Sequence, residues 1–205
     1  MLRTLLRLTD RSFAFAGDIE RLFAVVLMAT AVAAGATDEG PRIVRPVDKA
    51  ALKSGVVDII AGAPEGTLEV DGATIPSERP YPGVLRSKVP LPNGPHKVAL
   101  VSGDVRKEIG VFVGPNAPSE YAAFHEHPPV PDVACTKCHE VNRRGRFAFK
   151  VGCFDCHQQG KFTSVHPPHT VEMLSQCGLC HNAHGSTTKA HLVAAKEVVC
   201  KLCHN

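Results

Sequence analysis

Short apolar or alternating runs, separated by turn-forming residues, characterise the chain between about residues 40 and 114. The runs are GVVDII (55–60), TLEV (67–70), KVALV (97–101) and EIGVFV (108–113), and clusters such as VDG, PNGP and SGD lie between them. Runs of this length with Gly, Pro, Asp and Asn at their ends predict several short antiparallel strands. We therefore expect a small all-β sandwich over residues 37–114.

The first 36 residues have a different pattern. Four basic residues (Arg3, Arg7, Arg11 and Arg21) precede the 15-residue apolar run LFAVVLMATAVAAGA, which ends in small residues like a cleavage site. This pattern is typical of a secretory signal, and the run is too short for a comfortable membrane span. Because the basic region is long and contains acidic residues, an uncleaved anchor is the alternative, and only then do we expect membrane association. Either form predicts an exported protein that is periplasmic, extracellular or at the cell surface.

After a predicted linker at 115–124, residues 125–205 form a loop-rich segment with few long apolar runs. All eight cysteines lie here, in four C-x-x-C pairs that are each followed directly by histidine. The pairs are Cys135 and Cys138, Cys153 and Cys156, Cys177 and Cys180, and Cys200 and Cys203. A disulfide between residues three apart restrains the unfolded chain least, so it stabilises poorly. Zinc sites also use such pairs, but they do not need the adjacent histidine.

C-x-x-C-H is the spacing of covalent haem attachment. The two thiols add to the two vinyl groups of the porphyrin, and the adjacent histidine binds the iron as its proximal ligand. Four copies predict four covalently attached haem c groups, with proximal ligands His139, His157, His181 and His204. A segment this short buries only a marginal core by itself. We therefore expect it to be organised around the haems, with short helices, and not to fold without them.

The segment contains an internal repeat. HPPVPDVACTKCH starts at His127 and HPPHTVEMLSQCGLCH starts at His166, and each H-P-P precedes two C-x-x-C-H groups. The second unit continues CHNAHGS, whereas the first has CHEVNRR at that point. This pattern resembles the doubled-CxxCH multihaem cytochromes c, whose motif runs H-x-P…C-x-x-C-H-x-x-H-G-S…L…C-x-x-C-H. The resemblance implies distal iron ligands at His127, His166 and, from the H-G-S group, His184.

The fourth distal ligand has to come from elsewhere, because the first unit lacks the H-G-S histidine. Spacing favours His169, which lies eight residues before Cys177, just as His127 lies eight before Cys135. The alternatives are His125 and His191. Methionine is nearly excluded, because Met173 is the only methionine after residue 36. We expect His96, in the GPHK turn of the β region, to be a surface or hydrogen-bonded side chain.

Bis-histidine ligation fills both axial positions and gives a lower potential than His/Met ligation. Both effects favour electron transfer through closely packed haems over catalysis, with redox proteins as partners. The last haem has little chain after it, so we expect an exposed edge that serves as an exchange port. Alternatively, we expect the same edge to be a stacking face in a homo-oligomer or filament.

Two other function classes remain as alternatives. A multihaem reductase of a nitrogen or sulfur oxyanion needs one haem with an open site and nearby cations. Arg143, Arg144 and Arg146 form a basic cluster in the unit that lacks the H-G-S histidine. The second alternative is a structural protein whose haems mainly hold the chain together. Nucleic acid is not an expected partner, because the net charge of +3 comes without any Arg/Lys run.

The β region carries a resemblance of its own. The stretch GTLEVDGATIP…VPLPNGPHKVALVSGD resembles bacterial immunoglobulin-like extracellular modules, in which a turn of the form L-x-x-G-x-H/Y precedes a strand. The resemblance implies an immunoglobulin-like sandwich. Its expected role is that of a spacer or docking domain without chemistry of its own.

Overall fold

Two β-sheets face each other across an apolar core in the N-terminal part of the described chain. The computed structural model describes residues 40–127, 134–150, 152–158 and 176–204, which all belong to one compact unit, Gly40–Asn205. The predicted secretory signal at 1–36 lies outside the described residues. We call residues 40–123 the β module and residues 134–204 the cysteine segment.

The first sheet has four strands, all antiparallel, and the second sheet has six strands of mixed direction. The first consists, in spatial order, of β1 (Arg42–Arg45), β3 (Gly55–Gly62), β7 (Val84–Leu91) and β6 (Glu78–Tyr81). The second consists, in spatial order, of β10 (Ala122–Ala123), β2 (Ala50–Leu52), β9 (Val105–Val113), β8 (Gly94–Ser102), β4 (Thr67–Val70) and β5 (Ala73–Ile75). Strand β2 pairs in parallel with β9 and β10, and the other pairs are antiparallel.

Alternating side chains from both sheets build the core. Strand β3 buries Val57, Ile59 and Ala61, and strand β8 contributes Val98 and Leu100. This alternation follows from the strand geometry, in which successive side chains point to opposite faces of the sheet. All four apolar runs of the β region lie in strands, namely β3, β4, β8 and β9. The expectation of a mostly β structure with few short helices is confirmed.

The turn signals VDG and SGD join strands as expected. Asp71 and Gly72 both have positive φ, +51° and +82°, which is the type I′ geometry that suits a two-residue hairpin between β4 and β5. The expected turn at GPHK is wrong, because Gly94 to Lys97 pair with β9 and begin strand β8. His96 is therefore a buried strand residue, and its ring is hydrogen-bonded to Asp71 and to the Pro92 carbonyl.

The segment predicted as a linker ends within the second sheet. Strand β10 pairs with Ala50 and Ala51 of β2, and the Phe124 N–H donates to the Ala51 carbonyl at 2.9 Å. The cysteine segment then contains a hairpin of β11 (His139–Val141) and β12 (Phe147–Phe149) and the helix α1 (Lys196–Cys200). Three 3₁₀ turns complete it: Cys135–Lys137, Cys153–Asp155 and Cys177–Leu179. No helix in the described ranges has the length and apolar character needed to cross a membrane.

Candidate functional site

All four C-x-x-C-H groups adopt closely similar turns. In each one the N–H of the second cysteine donates to the carbonyl of the first, at 3.1–3.3 Å. The following histidine also donates its N–H to that carbonyl in the last three groups, at 2.8–2.9 Å. Residues three apart in a 3₁₀ turn lie on one side of it. The two thiols of a group are therefore presented on the same side, as attachment to one ring requires.

None of the eight cysteines forms a disulfide. Cys138, Cys156 and Cys180 are exposed, and the first cysteine of each of these groups is half-buried. Burial raises the pKa of the Cys153 thiol, and a hydrogen bond with Cys177 raises it further. This contact places the second and third groups side by side.

Two pairs of histidines from distant parts of the chain lie close together. The ring centroids of His139 and His184 are 5.9 Å apart, with the ring planes 20° from parallel. The centroids of His127 and His157 are also 5.9 Å apart, at 34°. A metal ion lies about 2.0–2.1 Å from a ligating imidazole nitrogen, so two rings that share one ion have centroids roughly 6 Å apart. Each pair joins a predicted proximal ligand to a predicted distal one.

The His139–His184 pair lies in a poorly hydrated environment. Burial lowers the pKa of His184 to about 4, and the charges of His139, Arg45, Arg42 and His127 contribute in the same direction. Burial also lowers the pKa of His139, against a hydrogen bond to the Ala148 backbone. A lowered pKa favours the neutral imidazole, which is the form that ligates a metal.

The H-G-S group holds His184 in place through close backbone contacts. Gly185 has φ +119°, and a Cβ on it would lie 2.9 Å from the His125 carbonyl oxygen and 3.0 Å from Phe124 Cε2. His125 and Ser186 exchange two backbone hydrogen bonds, of 2.8 and 3.0 Å. Glycine is required here because only it combines this φ with such a close approach.

Ser186 fixes the loop that follows. Its side chain is buried, and its Oγ donates to the Leu192 carbonyl at 2.5 Å and accepts from the Thr188 N–H at 3.1 Å. The same loop positions His181, whose Nδ1 is 2.7 Å from the Ala190 carbonyl. A backbone partner on one ring nitrogen fixes the orientation of an imidazole and leaves the other nitrogen for a metal.

Among the alternative ligands, His191 has the most distinctive environment. Its backbone has φ +54°, which is unusual for a residue other than glycine, and its ring lies edge-on to His127 at 5.3 Å. Within the described residues its buried Nδ1 has no hydrogen-bond partner. The backbone of His125 pairs with Ser186, and His204 lies after α1 at an exposed position. His166 and His169 lie outside the described residues.

Four residues near the first histidine pair carry no sequence motif and were not predicted. Tyr81 of the β module stacks on Phe147 at 4.2 Å and 9°, and Phe147 in turn lies 4.9 Å from the His139 ring. Phe124 meets Gly185, and Arg45 lies over the Phe124 ring at 5.8 Å. Aromatic and basic residues in a strand or at a strand end are common, so no sequence signal distinguishes them.

The cysteine segment exposes apolar side chains instead of burying them. Val199 is its only buried core residue among the described residues. Its large exposed apolar side chains are Val141, Phe149, Leu179, Val193, Val198 and Leu202. A large apolar ring beside each C-x-x-C-H group would cover such surface. The thiols, the histidine pairs and this surface together fit haem. The described ranges contain no group of three His, Cys, Asp or Glu side chains arranged around a metal ion.

The family model described as the doubled CXXCH motif matches residues 166–205. The CXXCH motifs indicate covalently bound haem c. The doubled motif indicates a multihaem c-type cytochrome that takes part in electron transfer. Comparison with curated proteins finds no match.

Several solved structures are similar to part of the chain. Fibronectin(III)-like modules of Clostridium thermocellum CbhA are 17% identical, with a TM-score of 0.31, over 36% of this chain and 96% of theirs. The endo-β-1,4-mannanase from Thermotoga petrophila is also 17% identical, with a TM-score of 0.31, over 36% of this chain and 19% of its own. A chimeric titin Z1Z2 is 15% identical, with a TM-score of 0.25, over 36% of this chain and 92% of its own.

Proposed function

We propose that the protein is an exported tetrahaem c-type cytochrome that carries electrons between redox partner proteins. The observation that carries this proposal is the set of four C-x-x-C-H groups, which use every cysteine and share closely similar turns. When bound, each haem supplies an iron centre that accepts and returns one electron. The chain's own residues attach, ligate and shield these centres.

The eight thiols would hold the four rings, and His139, His157, His181 and His204 would be the proximal ligands. The two close histidine pairs supply the distal partners of the first two sites. His184 would serve the site of His139, and His127 would serve the site of His157. The remaining two distal ligands come from His166, His169, His191 and His125. His191 is supported by its buried Nδ1, which has no hydrogen-bond partner in the part of the chain that the structure describes.

Two imidazoles at each iron favour a carrier over an enzyme, since they leave no axial position for a substrate. The basic cluster that would support a reductase lies on the turn between β11 and β12. Arg143, Arg144 and Arg146 are all exposed there, and the Asn142 side chain accepts the N–H groups of the last two. These bonds come from backbone N–H groups, so they stabilise the turn without the arginine charges.

Contacts with partners are proposed at the end of the chain. Leu202 is 67% exposed and lies between the exposed cysteines of the last group. An apolar, exposed surface around a haem attachment site suits transient contact with a redox protein or a second copy of this chain. The β module would orient this surface, and export would place it in the periplasm or at the cell surface.

Mass spectrometry of the exported protein tests the haem number and the N-terminus together. We expect the mass of the chain from about residue 37 plus four haems. Electron paramagnetic resonance of the oxidised protein should then show low-spin iron alone. A high-spin signal that shifts on addition of nitrite or sulfite would support the reductase instead. A purified protein without haem, or with zinc, would exclude both functions.

A further inference from the structure

The side chain of Arg45, at the end of strand β1, is largely buried, which is unusual for an arginine. Its side chain is only 16% exposed. Nη2 donates to Glu126 at 2.7 Å, and Nη1 lies 4.0 Å from Asp58. The guanidinium also lies over the Phe124 ring. The arginine is therefore held where the β module meets the residues that lead into the cysteine segment.

One donor of this guanidinium lacks an acceptor. Arg45 Nε is buried and has no hydrogen-bond partner among the described residues. Buried donors are almost always paired, because an unpaired one has lost its hydrogen bonds to water without replacement. Guanidinium groups preferentially bind planar carboxylates, because several N–H groups point in fixed directions in one plane. The buried Nε therefore indicates a carboxylate acceptor that comes from a bound molecule.

The surroundings of Arg45 identify which molecule that is. Phe124, which Arg45 covers, is the residue that Gly185 closely approaches, and Gly185 directly follows His184. Next to the other imidazole of the pair, His139, the Tyr81 ring stacks on Phe147. The β module thus contacts the supports of both imidazoles.

We propose that Arg45 binds a propionate carboxylate of the haem held between His139 and His184, so that the β module completes this site. The inference rests on the proposed function and extends it. Arg45 acts as a positioning and tuning residue. A cation beside the ring stabilises the reduced iron relative to the oxidised iron, because reduction removes one positive charge.

The variant Arg45→Gln tests this role through the potentials of the haems. We expect the haem content to remain at four and one midpoint potential to fall. The expected fall corresponds to a reduction equilibrium changed on the order of tenfold, or about 59 mV for a one-electron couple. Arg45→Lys should fold readily, because it retains the charge that pairs with Glu126. It should lower the same potential, because lysine lacks the planar set of N–H donors that binds a carboxylate. The decrease should be smaller than for Arg45→Gln, because the positive charge is kept.

Arg106→Gln is the matched control. It also removes one arginine of the β module, but its guanidinium pairs with Glu69 and Glu108 on the surface of the second sheet. We expect no change in any of the four potentials. Glu126→Gln is the reverse control, because it removes a negative charge beside Arg45. It should raise the potential that Arg45→Gln lowers.

His184→Met identifies the haem that moves, because thioether ligation raises the potential of that site alone. Adding Arg45→Gln to His184→Met should lower the marked potential, which is the one that His184→Met raises. The inference is overturned if both Arg45 variants leave all four potentials unchanged, or if the potential that moves is not the marked one. A wild-type protein without haem would instead refute the proposed function itself, so the two failures are distinguishable.

Discussion

Replacement of Gly185 by alanine tests how the H-G-S group supports His184. The new Cβ would lie 2.9 Å from the His125 carbonyl oxygen and would overlap the Phe124 ring. The residue would also have to keep a φ of +119°, which amino acids with a side chain rarely adopt. The phenyl ring can tilt away, but the carbonyl belongs to the backbone that pairs with Ser186. The two hydrogen bonds between His125 and Ser186 therefore have to lengthen or break.

Two contributions set the size of the effect. A residue held at an unfavourable φ costs about 1–3 kcal/mol. Each lost backbone hydrogen bond adds roughly 0.5–1.5 kcal/mol, so the pair adds about 1–3 kcal/mol. The local free energy of opening at this contact should then fall by roughly 2–6 kcal/mol, and each 1.4 kcal/mol is a factor of ten. Amide exchange at His125 and Ser186 should accelerate by about thirtyfold to ten-thousandfold.

Native-state hydrogen exchange measures this opening, and carbon monoxide binding to the reduced protein measures its effect on ligation. If His184 is displaced, one haem should gain an open position and bind carbon monoxide. Gly145→Ala is the matched control, because Gly145 also has positive φ, +70°, but has nothing within 4 Å of a Cβ. It should show the cost of the φ alone and no carbon monoxide binding. If Gly185→Ala exchanged no faster than Gly145→Ala at these amides, the close-contact explanation would be wrong.

Three further predictions concern stability. Ser186→Ala should cost about 1–3 kcal/mol in urea unfolding because it leaves buried partners unpaired, and a loss below 0.5 kcal/mol would contradict the role of its hydroxyl. Burial lowers the pKa of His96, but hydrogen bonds to Asp71 and a backbone carbonyl outweigh it and raise the pKa. The stabilisation of the fold by protonated His96 is therefore full below pH 6.5 and is lost as the pH rises through the raised pKa of His96. Asp71→Asn should abolish this dependence, and NMR titration of His96 should show its pKa falling. Leu100→Ala should destabilise the β module by about 2–5 kcal/mol, whereas exposed Val56→Ala should have little effect, as urea unfolding would show.

The sequence predicted the β module only where apolar residues alternate clearly. GVVDII forms the first six residues of β3, and its alternation is seen in the burial of Val57 and Ile59. Strand β7, VLRSKVPL, was missed because it carries Arg86, Ser87 and Lys88 in succession. Ser87 is buried there because its hydroxyl donates to the Pro76 carbonyl, and this partner lies eleven residues away. Strand β10 was missed because its two alanines pair only after the chain has returned to β2.

The candidate site likewise contains residues that the sequence predicts and residues that it does not. The haem attachment groups are visible in the sequence because their chemistry requires a fixed local spacing. The pairing of His139 with His184 depends on the path of the chain over 44 intervening positions, so spacing alone cannot give it. Arg45 is further still from any motif, and its environment depends on a cation–π contact and one buried nitrogen.

Strand β10 also determines where this chain can be shortened. It covers the edge of β2, and Phe124 adds a further hydrogen bond to the same strand. A fragment that stops at residue 114 would leave the N–H and C=O groups of that edge available to another molecule, and such edges promote self-association. A fragment that stops after Phe124 keeps the edge paired, so the β module should be excised eleven residues beyond the end of β9, its last long strand.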